Sequence, residues 1–246
     1  MKLGYRLTFT TLCLAGALGL NANTLLVDRG LPTANLNNAA GANRSNVAWA
    51  YDVKSNLNNY WLVGDTFTNT TGSNYHIDTI RLWSVGATDL ALLWGGVAGD
   101  PISLLPSTAS ISTALYSGGS TYQGSAGGPI SMYQLDFAVN INLGAGQTYN
   151  FFLDGSRSTS PFVPFAHAAN AALAGSLQQG ADNSMLGLNI VNGVASTLES
   201  WTSLGNGWDK ASDVNVQVFG TVPDSASAVL LVAMGLVALA LGRRRL

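Results

Sequence analysis

The sequence predicts an all-β protein, an antiparallel β-sandwich of jelly-roll type with an N-terminal signal helix and a C-terminal transmembrane helix. Short runs rich in β-branched and aromatic residues recur between clusters of Gly, Asn, Ser and Thr, which is the pattern of strands joined by turns. Many such strands follow one another without helical patterns between them, as expected of two packed sheets. Each end of the chain carries one apolar run flanked by basic residues.

The chain divides into three parts. Residues 1–22 form a predicted secretory signal peptide, residues 23–221 a β-sandwich domain, and residues 222–246 a tail that contains the transmembrane helix. A body of about 200 residues is the size of one ordinary domain. No internal repeat is visible in it.

Nine segments of the body are predicted strands. Alternation is clearest in the last of them, where Val214, Val216 and Val218 share one face and Asn215 and Gln217 share the other. This pattern predicts that one sheet face is packed and the other faces water. The segments are 47–53, 60–67, 77–85, 90–97, 110–116, 130–141, 149–153, 186–191 and 214–219.

Three further segments have their own predictions. Residues 130–141 and 147–153 form the best hairpin candidate, because the glycines of the intervening 143–146 permit a positive φ where a strand reverses. The alanine-rich stretch 167–179 favours a short helix that caps an opening of the sandwich. Residues 25–46 look like an extended arm followed by a turn-rich loop.

The N-terminus has the three parts of a secretory signal peptide. A basic start at 1–6 precedes an apolar stretch at 7–20, and Asn21-Ala22 supplies an exit of small residues. We expect cleavage after Ala22, with cleavage after Gly19 as the alternative. The secretory translocon is therefore the first predicted partner.

The C-terminus ends in an apolar run followed by basic residues. Residues 228–242 give about 22 Å of helix, somewhat short of the roughly 30 Å hydrocarbon core unless the flanking residues extend it. A positively charged flank resists translocation, so this end should stay in the cytoplasm and the body outside. The basic stop consists of Arg243, Arg244 and Arg245.

This tail closely resembles the PEP-CTERM sorting signal of bacterial surface proteins. The matching recognition motif is Val222, Pro223, Asp224 and Ser225, followed by the membrane run and the arginine cluster. The resemblance covers about 25 residues, and Asp224 stands where the name-giving motif has glutamate. It implies an exosortase-like membrane enzyme as partner, and a destination at the cell surface or in extracellular polysaccharide. A plain C-terminal membrane anchor is the alternative.

Charge and cysteine content exclude several classes of function. Five of the eleven basic residues lie in the terminal segments, which leaves six basic against twelve acidic residues in the body. A nucleic-acid-binding surface is not expected, because little positive charge remains to neutralise phosphates. The only cysteine, Cys13, lies in the predicted signal peptide, so the mature protein has no disulfide, thiolate metal site or cysteine nucleophile.

The residues give little support for catalysis. A serine triad needs a histidine base, and the chain has only His76 and His167, too far apart in sequence to suggest a zinc pair. Glu199 is the only glutamate, so a glycosidase would need two aspartates. The sequence cannot place these relative to one another: Asp65, Asp78, Asp89, Asp100, Asp136 and Asp154. We therefore predict no catalytic residue, no resident metal and no cofactor.

The sequence leaves calcium binding as an alternative, because loop carboxylates, amides and carbonyls can coordinate this ion. Asp182, Asn183 and the stretch 209–213 are the candidate contributors, although no spaced loop motif is present.

Glycan contact is the most interesting remaining chemistry, because aromatic faces stack on sugar rings. Most of the six tryptophans should be packed in the core. Trp201 and Trp208 flank a glycine-containing stretch at 205–207 and are the better candidates for exposure. Anchoring of a loop is the alternative role for both.

These observations predict a non-enzymatic, exported protein, anchored by its C-terminal helix until processing and then associated with the cell surface or exopolysaccharide matrix. A glycan-binding module and a carbohydrate-active hydrolase are the competing classes. A row of exposed aromatic residues on one sheet face would favour binding. A cleft with two aspartates about 5–10 Å apart would favour hydrolysis, and a smooth polar surface the structural role.

Overall fold

The computed structural model describes residues 24–29, 47–49, 59–85, 92–106, 108–111, 122–123, 129–130, 132–155, 165–169, 184–201 and 213–222. The predicted signal peptide, most of the predicted helix at 167–179 and the tail after Val222 lie outside these ranges. The described residues form sixteen strands.

The strands fall into two large groups and one small pair. The first sheet, sheet A, has the order β1-β16-β4-β10-β7, with β12 paired to β4, β2 and β15. The second, sheet B, has the order β14-β13-β3-β11-β5-β6, and β8 pairs with β9. The strand bounds are β1 Thr24–Asp28, β2 Val47–Trp49, β3 Asn59–Thr68, β4 Tyr75–Val85, β5 Leu92–Val97, β6 Ser103–Leu104, β7 Thr108–Ile111, β8 Tyr122–Gln123, β9 Pro129–Ile130, β10 Met132–Leu143, β11 Thr148–Asp154, β12 Phe165–Ala169, β13 Met185–Val191, β14 Val194–Trp201, β15 Asp213–Val214 and β16 Val216–Thr221.

The described pairings are all antiparallel, so an all-β protein with two antiparallel sheets is confirmed. Each of the nine predicted strand segments overlaps at least one strand of the structure. Strand residues that alternate between two faces supply the apolar rows from which a core is built.

One apolar core takes side chains from both sheets. Val218 and Phe137 of sheet A belong to the same buried cluster as Phe67 and Phe151 of sheet B. The ring centroids of Phe67 and Phe151 lie 5.9 Å apart. The facing sides of the two sheets are therefore joined by apolar burial, the main favourable contribution to folding.

Sheet B also buries its other face. Tyr60, Leu62, Trp94 and Phe152 belong to a second buried cluster, which excludes water from that side of β3, β11 and β5. Gly64 is required here, because an added Cβ would lie 2.3 Å from the Phe152 ring. Apolar residues are thus buried on both faces of sheet B, whereas the sequence predicted that one face is exposed to water.

The alternation predicted for the segment 214–219 holds for only one face of this segment. Val214, Val216 and Val218 are buried as predicted, but Asn215 and Gln217 are buried too. The expectation that these amides face water is wrong. Gln217 bonds the Asp28 carboxylate of β1 at 3.0 Å, and a buried amide with a hydrogen-bond partner costs little.

The predicted hairpin between β10 and β11 is wrong in its pairing, although the turn itself is present. Gln147 N donates to Gly144 O at 3.1 Å, and Gly146 has a φ of 75°. However, β10 lies in sheet A and β11 in sheet B, so this turn carries the chain from one sheet to the other. Residues 69–74 do the same between β3 and β4.

Asn69 joins the two crossing turns. Its Nδ2 donates to Ser73 O at 2.8 Å and to Leu143 O and Gly144 O at 3.1 Å. Its Oδ1 accepts from Thr71 N at 3.0 Å and from Thr71 Oγ1 at 2.8 Å. One fully buried amide therefore satisfies backbone groups of both turns.

Two local predictions missed the strand pattern. The helix at 167–179 is wrong where the structure describes it, because Phe165–Ala169 form β12 and pair with β2, β4 and β15. Alanine has the highest intrinsic helix propensity, but propensity is a small energetic preference, and this pairing overrides it. Strand β14 was not predicted. It follows a two-residue turn in which Asn192 and Gly193 have φ of 53° and 75°, the Asn-Gly hairpin signal.

Replacing Asn69 by Ala should lower the free energy of unfolding by about 2–4 kcal/mol, because three carbonyls and one Thr71 N–H lose a buried partner. Urea unfolding of the otherwise unchanged chain measures this. Asn142→Ala is the control, since exposed Asn142 bonds only the His76 ring among the contacts described for it. Equal losses in both variants would contradict the role of Asn69.

Candidate functional site

The predicted sorting motif begins directly after the last described strand. Strand β16 closes with Thr221 paired to His76, and the next residue, Val222, is 36% exposed. Pro223, Asp224 and Ser225 lie outside the described residues, as do Arg243, Arg244 and Arg245. The backbone therefore leaves sheet A at the first residue of the motif.

The first described strand lies beside this exit. Strand β1 begins at Thr24, two residues after the expected cleavage site at Ala22, and Thr24 pairs with Gly220 of β16. Antiparallel pairing thus brings the start of the body next to its end. We call this region the junction, defined by residues 24–25 and 219–222.

The two candidate sugar-stacking residues are not brought together by the structure. Trp201 is the last residue of β14, in a strand rather than the expected loop, and Trp208 lies outside the described residues. Elsewhere in the described ranges, Trp83 and Trp94 are buried at 0% and 7% exposure. Large apolar side chains that are exposed there are aliphatic: Leu25, Leu104, Val194, Leu198 and Val222.

The most unusual feature of the structure is a buried ion pair at the other end of β1 from the junction. Arg29 follows β1 directly, and its Nη1 donates to Asp65 Oδ2 at 2.7 Å. The side chains of Arg29 and Asp65 are 0% and 1% exposed. Arg29 Nη1 also lies 3.9 Å from Asp213 Oδ1, in β15. We call Arg29, Asp65 and Asp213 the buried charge cluster.

Backbone groups complete the hydrogen bonds of the cluster. Arg29 Nη1 donates to Val214 O at 3.2 Å and Arg29 Nη2 to Thr66 O at 2.5 Å. Asp65 accepts from Val214 N at 2.6 Å and from Thr66 N at 2.6 Å. The cluster therefore ties the end of β1 to β3 in sheet B and to β15, so its bonds join both sheets.

Two opposing effects act on the Asp65 carboxyl. Together they raise its pKa from 3.8 to about 7: burial and the negative charge of Asp213 raise the pKa, while Arg29 and the two backbone N–H groups lower it. Within the cluster two carboxylates share one guanidinium, so the three ionised side chains carry more negative than positive charge at a buried site. Protonation of Asp65 brings the two into balance.

The cluster is closed to substrates. Asp65 and Asp213 are 1% and 0% exposed, and Arg29 occupies the space between them. A glycosidase needs its two carboxyl groups on either side of a bound sugar. Asp154 is also buried, on the other face of sheet B, where its Oδ2 accepts from Tyr60 OH at 2.9 Å and Trp94 Nε1 at 3.1 Å. Asp89 lies outside the described residues.

A second ion pair lies on the outer face of sheet A. Arg81 Nε and Nη2 donate to the two carboxylate oxygens of Asp136 at 2.7 and 2.8 Å, and Gln134 Nε2 also donates to Asp136. The Arg81 guanidinium carbon lies 4.8 Å from the Phe219 ring centroid. Both ion-pair side chains are about one-quarter exposed. This face of sheet A is therefore polar, and its Arg81 and Asp136 side chains are already bonded to each other.

Other kinds of site have little support. Within the described ranges no group of three or more His, Cys, Asp or Glu side chains could hold a metal, and no helix is long and apolar enough to cross a membrane. The calcium candidates at 182–183 and 209–212 lie outside those ranges, and Asp213 faces Arg29. An open cavity of about 290 Å³ lies beside Pro106 and Asn140, and the described residues of its lining carry no ionisable side chain.

No family model matches the chain, and no curated protein or solved structure matches it. What the protein does must therefore be inferred from its own residues and geometry.

Sequence reasoning missed the buried charge cluster. Asp28 and Arg29 were assigned to an extended arm, and Asp65 to the aspartates that could not be placed. One signal was available: Asp65 stands at an inward position of β3, two residues before Phe67, where alternation otherwise demands an apolar residue. A charge in such a position requires a buried partner, and the body has few basic residues to supply one.

Replacing Arg29 by Met should lower the free energy of unfolding by about 3–5 kcal/mol at pH 8, because Asp65 and Asp213 would stay buried without their cation. The loss should be smaller at pH 5, where Asp65 holds a proton. Arg81→Met is the matched control and should cost about 1 kcal/mol or less, since its ion pair is partly solvated. Chemical unfolding at both pH values measures the effect, and equal losses in the two variants would contradict it.

The stability of the unaltered protein should fall as pH rises from 5 through 7. The folded pKa of Asp65, about 7, exceeds its ordinary value of 3.8, so the folded state holds a proton that the unfolded state has lost. This stabilisation is lost as pH passes the folded pKa, with a slope of at most about 1.4 kcal/mol per pH unit. In unfolding titrations, Asp65→Asn should flatten the slope and Asp136→Asn should leave it unchanged. A slope that persists in Asp65→Asn would refute the assignment.

Proposed function

We propose that this is an exported, non-enzymatic structural protein of the cell surface or extracellular matrix, sorted through its tail by an exosortase-like enzyme. The two sheets form a jelly-roll-like sandwich at residues 23–221. Before processing, the C-terminal helix at 228–242 holds the protein in the membrane. After processing, the body associates with exopolysaccharide.

The observation that carries the proposal is the position of the motif relative to the fold. The ladder of β16 ends at Thr221, and Val222 is exposed at 36%. A processing enzyme in the membrane needs an extended, accessible backbone, which a paired strand does not offer. A motif that begins one residue after the last strand meets this need without unfolding the domain.

The environment of the aromatic and acidic side chains favours a structural role over the two competing classes. Trp83 and Trp94 are buried, and Trp61 is half-buried. Asp65 and Asp213 are closed around Arg29. A sugar-binding face needs exposed rings, and a hydrolase needs reachable carboxylates. Trp201, at the end of the exposed strand β14, stays the candidate for direct contact with polysaccharide.

Localisation of a tagged protein tests the proposal. Deleting residues 222–246 should release a folded body into the medium, because the anchor is gone while every described strand remains. The double change Pro223→Ala and Asp224→Ala should leave the anchor uncleaved and the protein in the membrane fraction at full mass. The matched control changes exposed Pro106 and Asp100 to Ala and should be processed normally. Membrane retention of the truncated chain, or normal processing of the motif variant, would refute the proposal.

A further inference from the structure

The outer face of sheet A carries a row of polar side chains that crosses five strands. Neighbours in the row are direct register partners, so their side chains lie on one face of the sheet. Gln217 Nε2 donates to Asp28 Oδ1 at 3.0 Å. Arg81 bonds both carboxylate oxygens of Asp136. From β1 to β7 this first polar row consists of Asp28, Gln217, Arg81, Asp136 and Ser110.

The next row along the strands forms a low floor. Thr79 of β4 pairs with Ala138 of β10 on one side and with Phe219 of β16 on the other. Thr79 is half-buried and Ala138 is exposed, and both side chains are short. At the β16 end the floor stops at the half-buried Phe219 ring, whose centroid lies 4.8 Å from the Arg81 guanidinium carbon.

A second polar row lies on the other side of the floor. His76 of β4 pairs with Asn142 of β10 and with Thr221 of β16, and His76 Nδ1 lies 3.0 Å from Asn142 Oδ1. Between the floor and this row, the pairings of β4 with β10 and with β16 both shift register. Such bulges bend a strand locally. We call the floor and the two polar rows the trough.

The open cavity of about 290 Å³ continues the trough at its β10 end. Ala138 belongs both to the floor and to the lining of the cavity, which also contains Asn140 and Pro106. Asn140 is exposed, and its amide can donate and accept hydrogen bonds. A concave surface with a few convergent polar groups is the usual form of a ligand site.

We propose that the trough and this cavity bind a neutral polysaccharide chain that lies across the strands. Its hydroxyl groups bond the carboxylate, amide and guanidinium groups of the two rows, and its sugar rings lie over the short side chains of the floor. Hydrogen bonds within the rows already orient these groups, so little side-chain entropy is lost on binding. The site therefore depends on hydrogen bonds and not on a row of exposed rings. The inference rests on the association with exopolysaccharide proposed above and names the surface that makes it.

The charge of the trough favours an uncharged polymer. Asp28 and Asp136 supply two carboxylates, and Asp78 adds a third at the register shift of β4. Arg81 is the only Lys or Arg in the two rows, and it is bonded to Asp136. A polyanion would meet an excess of like charge, which weakens binding.

Affinity electrophoresis tests the binding. The probe is the neutral fraction of the exopolysaccharide exported by the producing cells, separated from the acidic fraction by anion exchange. The purified full-length chain, in a detergent without a sugar head group, should be retarded in native gels that contain the neutral fraction. Retardation by the acidic fraction that equals or exceeds this effect, or no retardation by either fraction, would overturn the proposal.

A substitution in the floor tests the location. Ala138→Ile should raise the Kd at least about tenfold, because the larger side chain fills the floor without adding charge. Ala98→Ile is the matched control and should bind like the unaltered chain, since Ala98 is also exposed but directly follows β5 of sheet B. Thermal melting followed by circular dichroism verifies that each variant is folded. A folded Ala138→Ile chain with unchanged Kd would contradict the assignment.

A second pair of variants tests the cavity. Asn140→Ala should raise the Kd about fivefold, as expected for one lost hydrogen bond. Its control is Asn59→Ala, because Asn59 is an exposed amide at the start of β3 in sheet B. Equal effects of the two changes would argue against a role of the cavity.

Two further results separate this site from the other proposals. Trp201→Ala should bind like the unaltered chain, and loss of binding there with none in Ala138→Ile would move the contact to β14 and overturn the inference. A chain that is processed normally but does not bind would contradict this inference alone. A chain that binds but is processed without regard to Pro223 and Asp224 would contradict the sorting alone.

Discussion

The Arg29–Asp65 ion pair is the interaction on which the arrangement of the first and last strands depends. Strand β1 is five residues long and, among the strands that the structure describes, pairs with β16 only, so its ladder alone offers few hydrogen bonds. Arg29 extends this attachment by bonding Asp65 in sheet B and backbone carbonyls at 66 and 214. Breaking a buried pair of this kind leaves charge without compensation, which costs more than forming the pair gains.

The second constraint is the connection between the sheets at one end of the molecule. Two turns cross from sheet to sheet, and Asn69 bonds carbonyls in both. The backbone adds to this, since Asn69 N donates to Gln147 O and Gly146 N to Asn69 O, both at 2.9 Å. An apolar core alone would hold the sheets together without setting their alignment. A single amide with five specific partners sets it, because hydrogen bonds are directional.

Local patterns predicted the strands well, because alternation and β-branched composition act within a few residues. Partner choice was not predictable in the same way. The turn at 144–147 has the residues of a hairpin, yet its strands join different sheets, since the pairing of β10 with β4 and of β11 with β3 is decided by residues far away in the sequence. His167 lies in a strand for the same reason, because β12 is bound by three others.

The candidate sites show the same difference between local sequence patterns and long-range contacts. The proposed sorting motif is a continuous stretch of sequence and can be recognised without the fold, whereas the buried charge cluster unites residues from three distant parts of the chain. A row such as Asp28, Gln217 and Arg81 appears only once the strand order is known.

The neighbouring positions of β1 and β16 have a kinetic consequence. Asp28 and Gln217, which share a hydrogen bond, are 189 residues apart in the chain. Such high contact order slows folding, because the entropy of closing a very long loop is lost before any contact repays it. In the export that we propose, the first strand would emerge early and its neighbour last. Sheet A could then be completed only after nearly the whole body had crossed the membrane.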